Sequence, residues 1–107
     1  MNREPTVFEE RVYRLISGIP RGQVSTYGGI ARALGCGSAQ AVGQALRRNP
    51  FAPEVPCHRV VAGDGSIGGF TGRRSGEAID KKVALLISEG VVFDSGMRVA
   101  SECLYEF

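Results

Sequence analysis

The sequence has no apolar stretch long enough for a signal peptide or a membrane span. It has little cysteine: three residues, an odd number at irregular spacing, which excludes a disulfide framework and points to a reducing, intracellular compartment. The expected location is the cytoplasm or nucleoid, or the nucleus of a eukaryote. It also lacks a strong charge imbalance. Thirteen Lys and Arg against eleven Asp and Glu leave a net charge of +2, which permits a nucleic-acid partner but would hardly support a purely electrostatic binder. No internal repeat or low-complexity run appears, and histidine occurs once, as His58. No four-residue cluster with zinc-ligand spacing is present, so no metal and no cofactor are expected. What remains is 107 residues, 43% of them hydrophobic, enough for one compact domain with a modest core.

Helical periodicity dominates the first half. Thr6-Val7-Phe8-Glu9 has the form of a capping box, and Phe8, Val12, Leu15, Ile16 and Ile19 then share one helical face before Pro20 stops it. After the Arg21-Gly22 turn, Ser25 or Thr26 can cap a second helix on which Tyr27, Ile30, Ala31 and Leu34 keep the period. Gly35-Cys36-Gly37 ends it. A third helix starts at Ser38, with Ala39, Val42 and Leu46 inward and Gln40, Gln44 and Arg47 on the opposite side. Two short helices around a glycine turn suggest a helix-turn-helix pair whose second member meets DNA, although an ordinary helical hairpin with a solvated face gives the same pattern.

Beyond Asn49-Pro50 the chain reads as an extended loop, followed by a small hairpin from Arg59-Val60-Val61 through the Gly63-Asp64-Gly65 turn to Ser66-Ile67. Residues 68–76 are glycine-rich and irregular. Ile79, Val83, Leu86 and Ile87 mark a last helix closed by Gly90, and Val91-Val92-Phe93 can add a short strand.

Pro56-Cys57-His58-Arg59-Val60 is the chemically informative segment. A thiol must ionise before it attacks carbon, and an adjacent imidazole in a basic neighbourhood favours that ionisation and offers a proton acceptor. Neighbouring side chains on an extended chain point apart, so His58 reaches Cys57 only through a bend or a bridging water. Taken alone, a Cys-His pair is a weak signal and reads more simply as a buried structural thiol beside a hydrogen-bonded histidine.

Pro-Cys-His-Arg-Val resembles the signature of the O6-alkylguanine-DNA alkyltransferases, and the resemblance continues in order through the chain. Val24-Ser25-Thr26-Tyr27-Gly28, Ala41-Val42-Gly43, Arg48-Asn49-Pro50, Gly69-Phe70-Thr71-Gly72, Lys82, Leu85, Leu86 and Glu89-Gly90 all match family segments, covering about residues 7 to 93. The resemblance implies a repair protein that flips a damaged nucleotide out of the duplex and accepts its alkyl group irreversibly on cysteine. Cys57 is then the acceptor, His58 the base acting through water, and Glu89 the carboxylate that polarises His58, the general logic of nucleophile, base and orienter.

By the same resemblance Tyr27 crowds the flipped nucleotide's phosphate and offers its hydroxyl to the guanine. Asn49 is the hinge that ties the recognition helix to the active-site loop. Val60 closes the motif among the substrate contacts, Phe70 supplies an aromatic wall where many members have tyrosine, and Thr71 donates a backbone hydrogen bond to the guanine oxygen. Ser38, Ala39, Gln40, Ala41 and Gly43 suit a helix lying in the minor groove, with Arg47, Arg48, Arg73 and Arg74 as phosphate contacts. Gln40 departs from the family, which usually inserts an arginine there to fill the space of the flipped base. Cys36 and Cys103 match no family functional position.

The expectation is therefore a mainly α, winged helix-turn-helix fold: a three-helix DNA-binding core with a small β-hairpin and a C-terminal helix. Residues 1–107 form a single alkyltransferase active-site domain without the amino-terminal domain of full-length members. It acts as a monomer on double-stranded DNA carrying O6-alkylguanine, by single-turnover transfer to Cys57. The alternative is an alkyltransferase-like damage sensor, close in length, that binds the lesion and recruits another repair pathway. Such relatives typically replace the nucleophile, often with tryptophan, whereas this chain keeps the thiol. A helix-turn-helix transcription regulator would need sequence preference and dimerisation, and a cysteine hydrolase would need an oxyanion hole.

Overall fold

The computed structural model describes residues 5–49, 55–67 and 76–107. Helix α1 spans Val7–Ile16, opened by the expected capping box: Thr6 Oγ1 accepts from the Glu9 amide at 3.1 Å, and Glu9 Oε1 accepts from the Thr6 amide at 2.9 Å. Glu9 and Glu10 in its first turn and Arg14 in its last suit the helix dipole. The helix stops at Ile16, short of Pro20, and the chain continues in turns that still bury Ile19.

Helix α2, Tyr27–Leu34, is capped by Thr26, whose Oγ1 accepts from Gly29 at 2.9 Å. It ends at Gly35, whose φ of 71° is the left-handed conformation that glycine adopts without a Cβ clash. Helix α3, Ala39–Arg47, starts from Ser38, with Ser38 Oγ accepting from Ala41 at 3.1 Å. Val12, Tyr13 and Ile16 of α1, Ile30 and Ala31 of α2, and Val42, Ala45 and Leu46 of α3 close one core, which Cys57 and Val60 join. Full burial of each large aliphatic side chain contributes about 1.5–3 kcal/mol. The buried Tyr13 hydroxyl donates to the Ala45 carbonyl at 2.7 Å, so its polar end is satisfied where α1 crosses α3.

The strands are short. Strand β1, Ser25–Thr26, pairs in parallel with β2, Val60–Val61, in the register Ser25 to Val60 and Thr26 to Val61. This corrects the expected partner of Val60-Val61. The turn after β2 does fold back, with the Ala62 amide donating to the Ser66 carbonyl at 2.9 Å, but the ladder runs to β1. The C-terminal segment extends the same layer. Val24 and Leu104 form a parallel bridge, and the Tyr105 amide donates to the Val24 carbonyl at 2.7 Å.

Helix α4, Glu77–Ser88, buries Lys82 and Leu86, while Ile87, expected to face inward, is 57% exposed. Leu86 joins a second core with Val24, Val61, Val91, Val99 and Cys103. Phe93 pairs with Val99 in an isolated antiparallel bridge, so the short strand expected at 91–93 is reduced to one residue. No helix among the described residues is long and apolar enough to cross a membrane. The whole is a mainly helical helix-turn-helix domain, with α2 and α3 joined by the Gly35-Cys36-Gly37 turn.

Candidate active site

Cys57 begins a single 3-10 turn, Cys57–Arg59, between the buried Pro56 and β2. Pro56 fixes the entry: with φ −82° and ψ 67° it forms an inverse γ-turn in which the Cys57 amide donates to the Val55 carbonyl at 2.8 Å. The Arg59 amide then donates to the Pro56 carbonyl at 2.9 Å, tightening the turn. This bend answers the geometric objection that adjacent side chains on an extended strand diverge, because Cys57 and His58 do not lie on a strand. Both are buried, at 8% and 3% exposure.

Asn49, just beyond α3, donates from Nδ2 to the Val55 carbonyl at 3.1 Å. It thus ties the end of α3 to the residues that lead into Cys57. Val60 is fully buried in β2. Tyr27 is the first residue of α2, half-buried against the core and directly after the strand that pairs with β2.

His58 Nε2 lies 3.1 Å from Glu89 Oε1. Glu89 also receives Arg59 in a two-pronged contact, Nε to Oε1 at 2.9 Å and Nη2 to Oε2 at 2.6 Å. The hydrogen bonds from Arg59 hold the Glu89 carboxyl below its ordinary range and outweigh the opposing effect of burial, and His58 adds to the lowering. An ionised carboxylate only accepts, so His58 Nε2 carries its proton toward Glu89 and a neutral ring keeps the Nδ1 lone pair for a base's work. Burial pushes the His58 pKa below 6.5, against the raising effect of Glu89, with Arg59 and Lys82 also lowering it. The ring is therefore neutral near pH 7.

Glu89 caps the C-terminus of α4, where the helix dipole disfavours a carboxylate. The surroundings hold it there. Arg59 Nη1 donates to the Ile19 carbonyl at 2.9 Å, and Arg21 donates to the Ser88 carbonyl at 3.2 Å. Gly22, at φ 91°, brings the turn so close to α4 that a Cβ would stand 3.0 Å from the Glu89 carbonyl oxygen.

Two residues in this cluster were not assigned a role from sequence. One is Arg59, whose clamp on Glu89 depends on a tertiary contact that no local pattern signals. The other is Lys82, fully buried, which donates to the Val60 carbonyl at 2.7 Å and the Ile67 carbonyl at 2.6 Å. Burial lowers its pKa to about 8, opposed by an electrostatic attraction to Cys57 that raises it. A signal for Lys82 did exist, since it lies three residues after Ile79 and four before Leu86, on the inward face.

On α3, Ala39 and Gln40 are exposed, and Ala41 and Gly43 are half-buried. Apart from its own helix, nothing among the described residues lies within 4 Å of a Cβ built on Gly43. Ser38 is the helix cap. Arg47 and Arg48 are exposed, and Arg48 Nη1 stands 3.7 Å from Glu9 Oε2. Phe70, Thr71, Arg73 and Arg74 lie outside the described residues. No group of His, Cys, Asp or Glu among the described residues could hold a metal ion.

Residues 7–91 match the family model for the DNA-binding domain of 6-O-methylguanine DNA methyltransferase. A methylated-DNA–protein-cysteine methyltransferase from Thermococcus kodakarensis is 48% identical over 80% of this chain and 46% of its own length. One from Methanothermobacter thermautotrophicus is 42% identical over 80% and 46%. The chain thus spans about half the length of these curated relatives. The crystal structure of Mycobacterium tuberculosis OGT in complex with DNA superposes with a TM-score of 0.72 at 40% identity, covering 83% of this chain and 53% of that one. That of S. pombe Atl1 in complex with damaged DNA containing O6-carboxymethylguanine gives 0.76 at 32% identity, over 94% and 95%.

Proposed function

The chain belongs to the 6-O-methylguanine DNA methyltransferase family, and from that premise we propose that it repairs O6-alkylguanine in DNA by transferring the alkyl group to Cys57. The observation that carries this reading is a thiol on a tight turn, next to a buried neutral histidine whose far nitrogen is fixed by Glu89. The Cys57 proton leaves through His58 Nδ1, by way of a water, and the sulfur attacks the alkyl carbon. The carbon–oxygen bond at guanine O6 breaks, a thioether forms, and the proton ends on guanine. Guanine is restored, and the thioether keeps the thiol spent, so each molecule acts once.

The buried ammonium of Lys82 faces the developing charge on sulfur and helps to hold it, in a site where little solvent screens the attraction. Tyr27, Asn49, Val60, Phe70 and Thr71 are the proposed contacts to the flipped nucleotide. The α3 face of Ser38, Ala39, Gln40, Ala41 and Gly43, with Arg47 and Arg48, is the proposed minor-groove surface. Small residues there let the helix approach the duplex closely.

A second reading is a damage sensor, favoured by the similarity to Atl1 over nearly the full length of both chains. In that version the lesion is bound and Cys57 stays unmodified. The fate of the alkyl group separates the two: methyl on Cys57 after exposure to an O6-methylguanine duplex supports repair by transfer, and tight binding without modification supports the sensor.

A further inference from the structure

Arg32 folds back along α2 toward that helix's own first turn. A Cβ on Gly28 would lie 3.5 Å from its Nη1, and one on Gly29 would lie 3.8 Å from its Nη2, so the guanidinium rests at van der Waals distance over the Gly28-Gly29 turn. Arg32 is exposed, and among the described residues it has no hydrogen-bond or ion-pair partner. Several other arginines are committed inside the protein. Arg11 is bonded to the Leu34 carbonyl, Arg21 to the Ser88 carbonyl, and Arg59 to Glu89 and the Ile19 carbonyl.

The first turn of α2, toward which Arg32 folds, adjoins the site through the strands. The chain enters α2 from β1, which is hydrogen-bonded to β2, and β2 follows Cys57–Arg59 without a break. A nucleotide whose base reaches the buried Cys57 keeps its phosphates outside, at the protein surface around the site. The first turn of α2 carries no acid to neutralise Arg32, whereas α1 and α4 begin with Glu9, Glu10, Glu77 and Asp80. Among the described residues this cation is unmatched, and an anion brought there relieves the imbalance.

We propose that Arg32 is a phosphate contact, holding the DNA backbone beside the extruded nucleotide independently of the arginines of α3. The proposal rests on the DNA-repair reading above. Its role is electrostatic positioning, so it acts on duplex binding and not on the chemistry at sulfur.

The test measures equilibrium binding of an O6-methylguanine duplex over a salt series, in a Cys57→Ser background that prevents transfer. Each phosphate neutralised contributes about 0.9 to the slope of log affinity against log salt. Arg32→Gln is expected to make the slope shallower by about that amount, while Arg14→Gln, on α1 beside Leu15 and Tyr105, leaves it unchanged. In the same series, one uncharged methylphosphonate next to the lesion should weaken the parent and add little loss to Arg32→Gln. A parent that binds the duplex while Arg32→Gln keeps its full slope and full methylphosphonate response overturns this proposal alone. A parent that does not bind the lesion duplex overturns the repair reading, and the proposal with it.

Discussion

Arg59 grips Glu89 through both carboxylate oxygens, at 2.9 and 2.6 Å, and so fixes the oxygen that faces His58. The pair is largely buried, with side-chain exposures of 17% and 10%. Arg59→Met leaves a carboxylate without its main partner at the end of α4. The expected loss of stability is about 3 kcal/mol, read from denaturant unfolding. Because Arg59 also lowers the His58 pKa, the acid limb of the alkylation rate should move to higher pH in this variant. A stability loss with no movement of that limb would make Arg59 a structural clamp only.

Lys82 gives a pH signature of its own. Its folded pKa, about 8, lies below the ordinary value of 10.5, so between these the unfolded chain holds the proton that the folded protein has released. Stability from this group is fully present above pH 10.5 and is lost as the pH falls through 8. Relative to Lys82→Met, the wild-type protein should gain up to roughly 3 kcal/mol across that window. A flat difference between the two proteins from pH 8 to 10.5 would contradict the burial of a titrating ammonium.

Gln40 stands exposed in the first turn of α3, where the family usually places an arginine. Extruding a base forfeits stacking worth a few kcal/mol, and an inserted side chain recovers part of it. Glutamine can bond a base edge but lacks the charge and stacking plane of a guanidinium. Gln40→Arg should therefore speed alkylation by duplex substrate while leaving the reaction with a free alkylated guanine base nearly unchanged. Equal acceleration of both substrates would count against the extrusion argument.

Elements governed by local chemistry were legible in the sequence. The capping box at Thr6 and Glu9, the Ser38 and Thr26 caps and the Gly35 stop each state their role within a few residues, whereas the helix-turn-helix fold was singled out by the family resemblance. The pairing of β2 was not legible. A turn after Val61 suggests a hairpin, whereas the parallel partner Ser25–Thr26 is distant in sequence and is selected by packing of the three-helix core. Inward and outward positions on α4 were misjudged at Ile87 because a buried lysine takes an inward place that hydrophobic counting leaves empty. For the site, the resemblance marked Cys57, His58 and Glu89, and the contact between His58 and Glu89 is present. The Arg59 clamp had no counterpart in the sequence reading, since nothing local distinguishes an arginine that reaches across the fold from one that is solvated.

The central claim is that Cys57 is the acceptor, and mass analysis of the whole protein and of its peptides tests it most directly. After incubation with a duplex containing O6-methylguanine, each protein molecule should gain one methyl group, found on the peptide that carries Cys57. Cys36, exposed, and Cys103, buried in the second core, should remain unmodified. Cys57→Ser should gain nothing while still binding the lesion. Methylation of Cys36 or Cys103 instead, or an unmodified wild-type protein tightly bound to the lesion, would contradict the account.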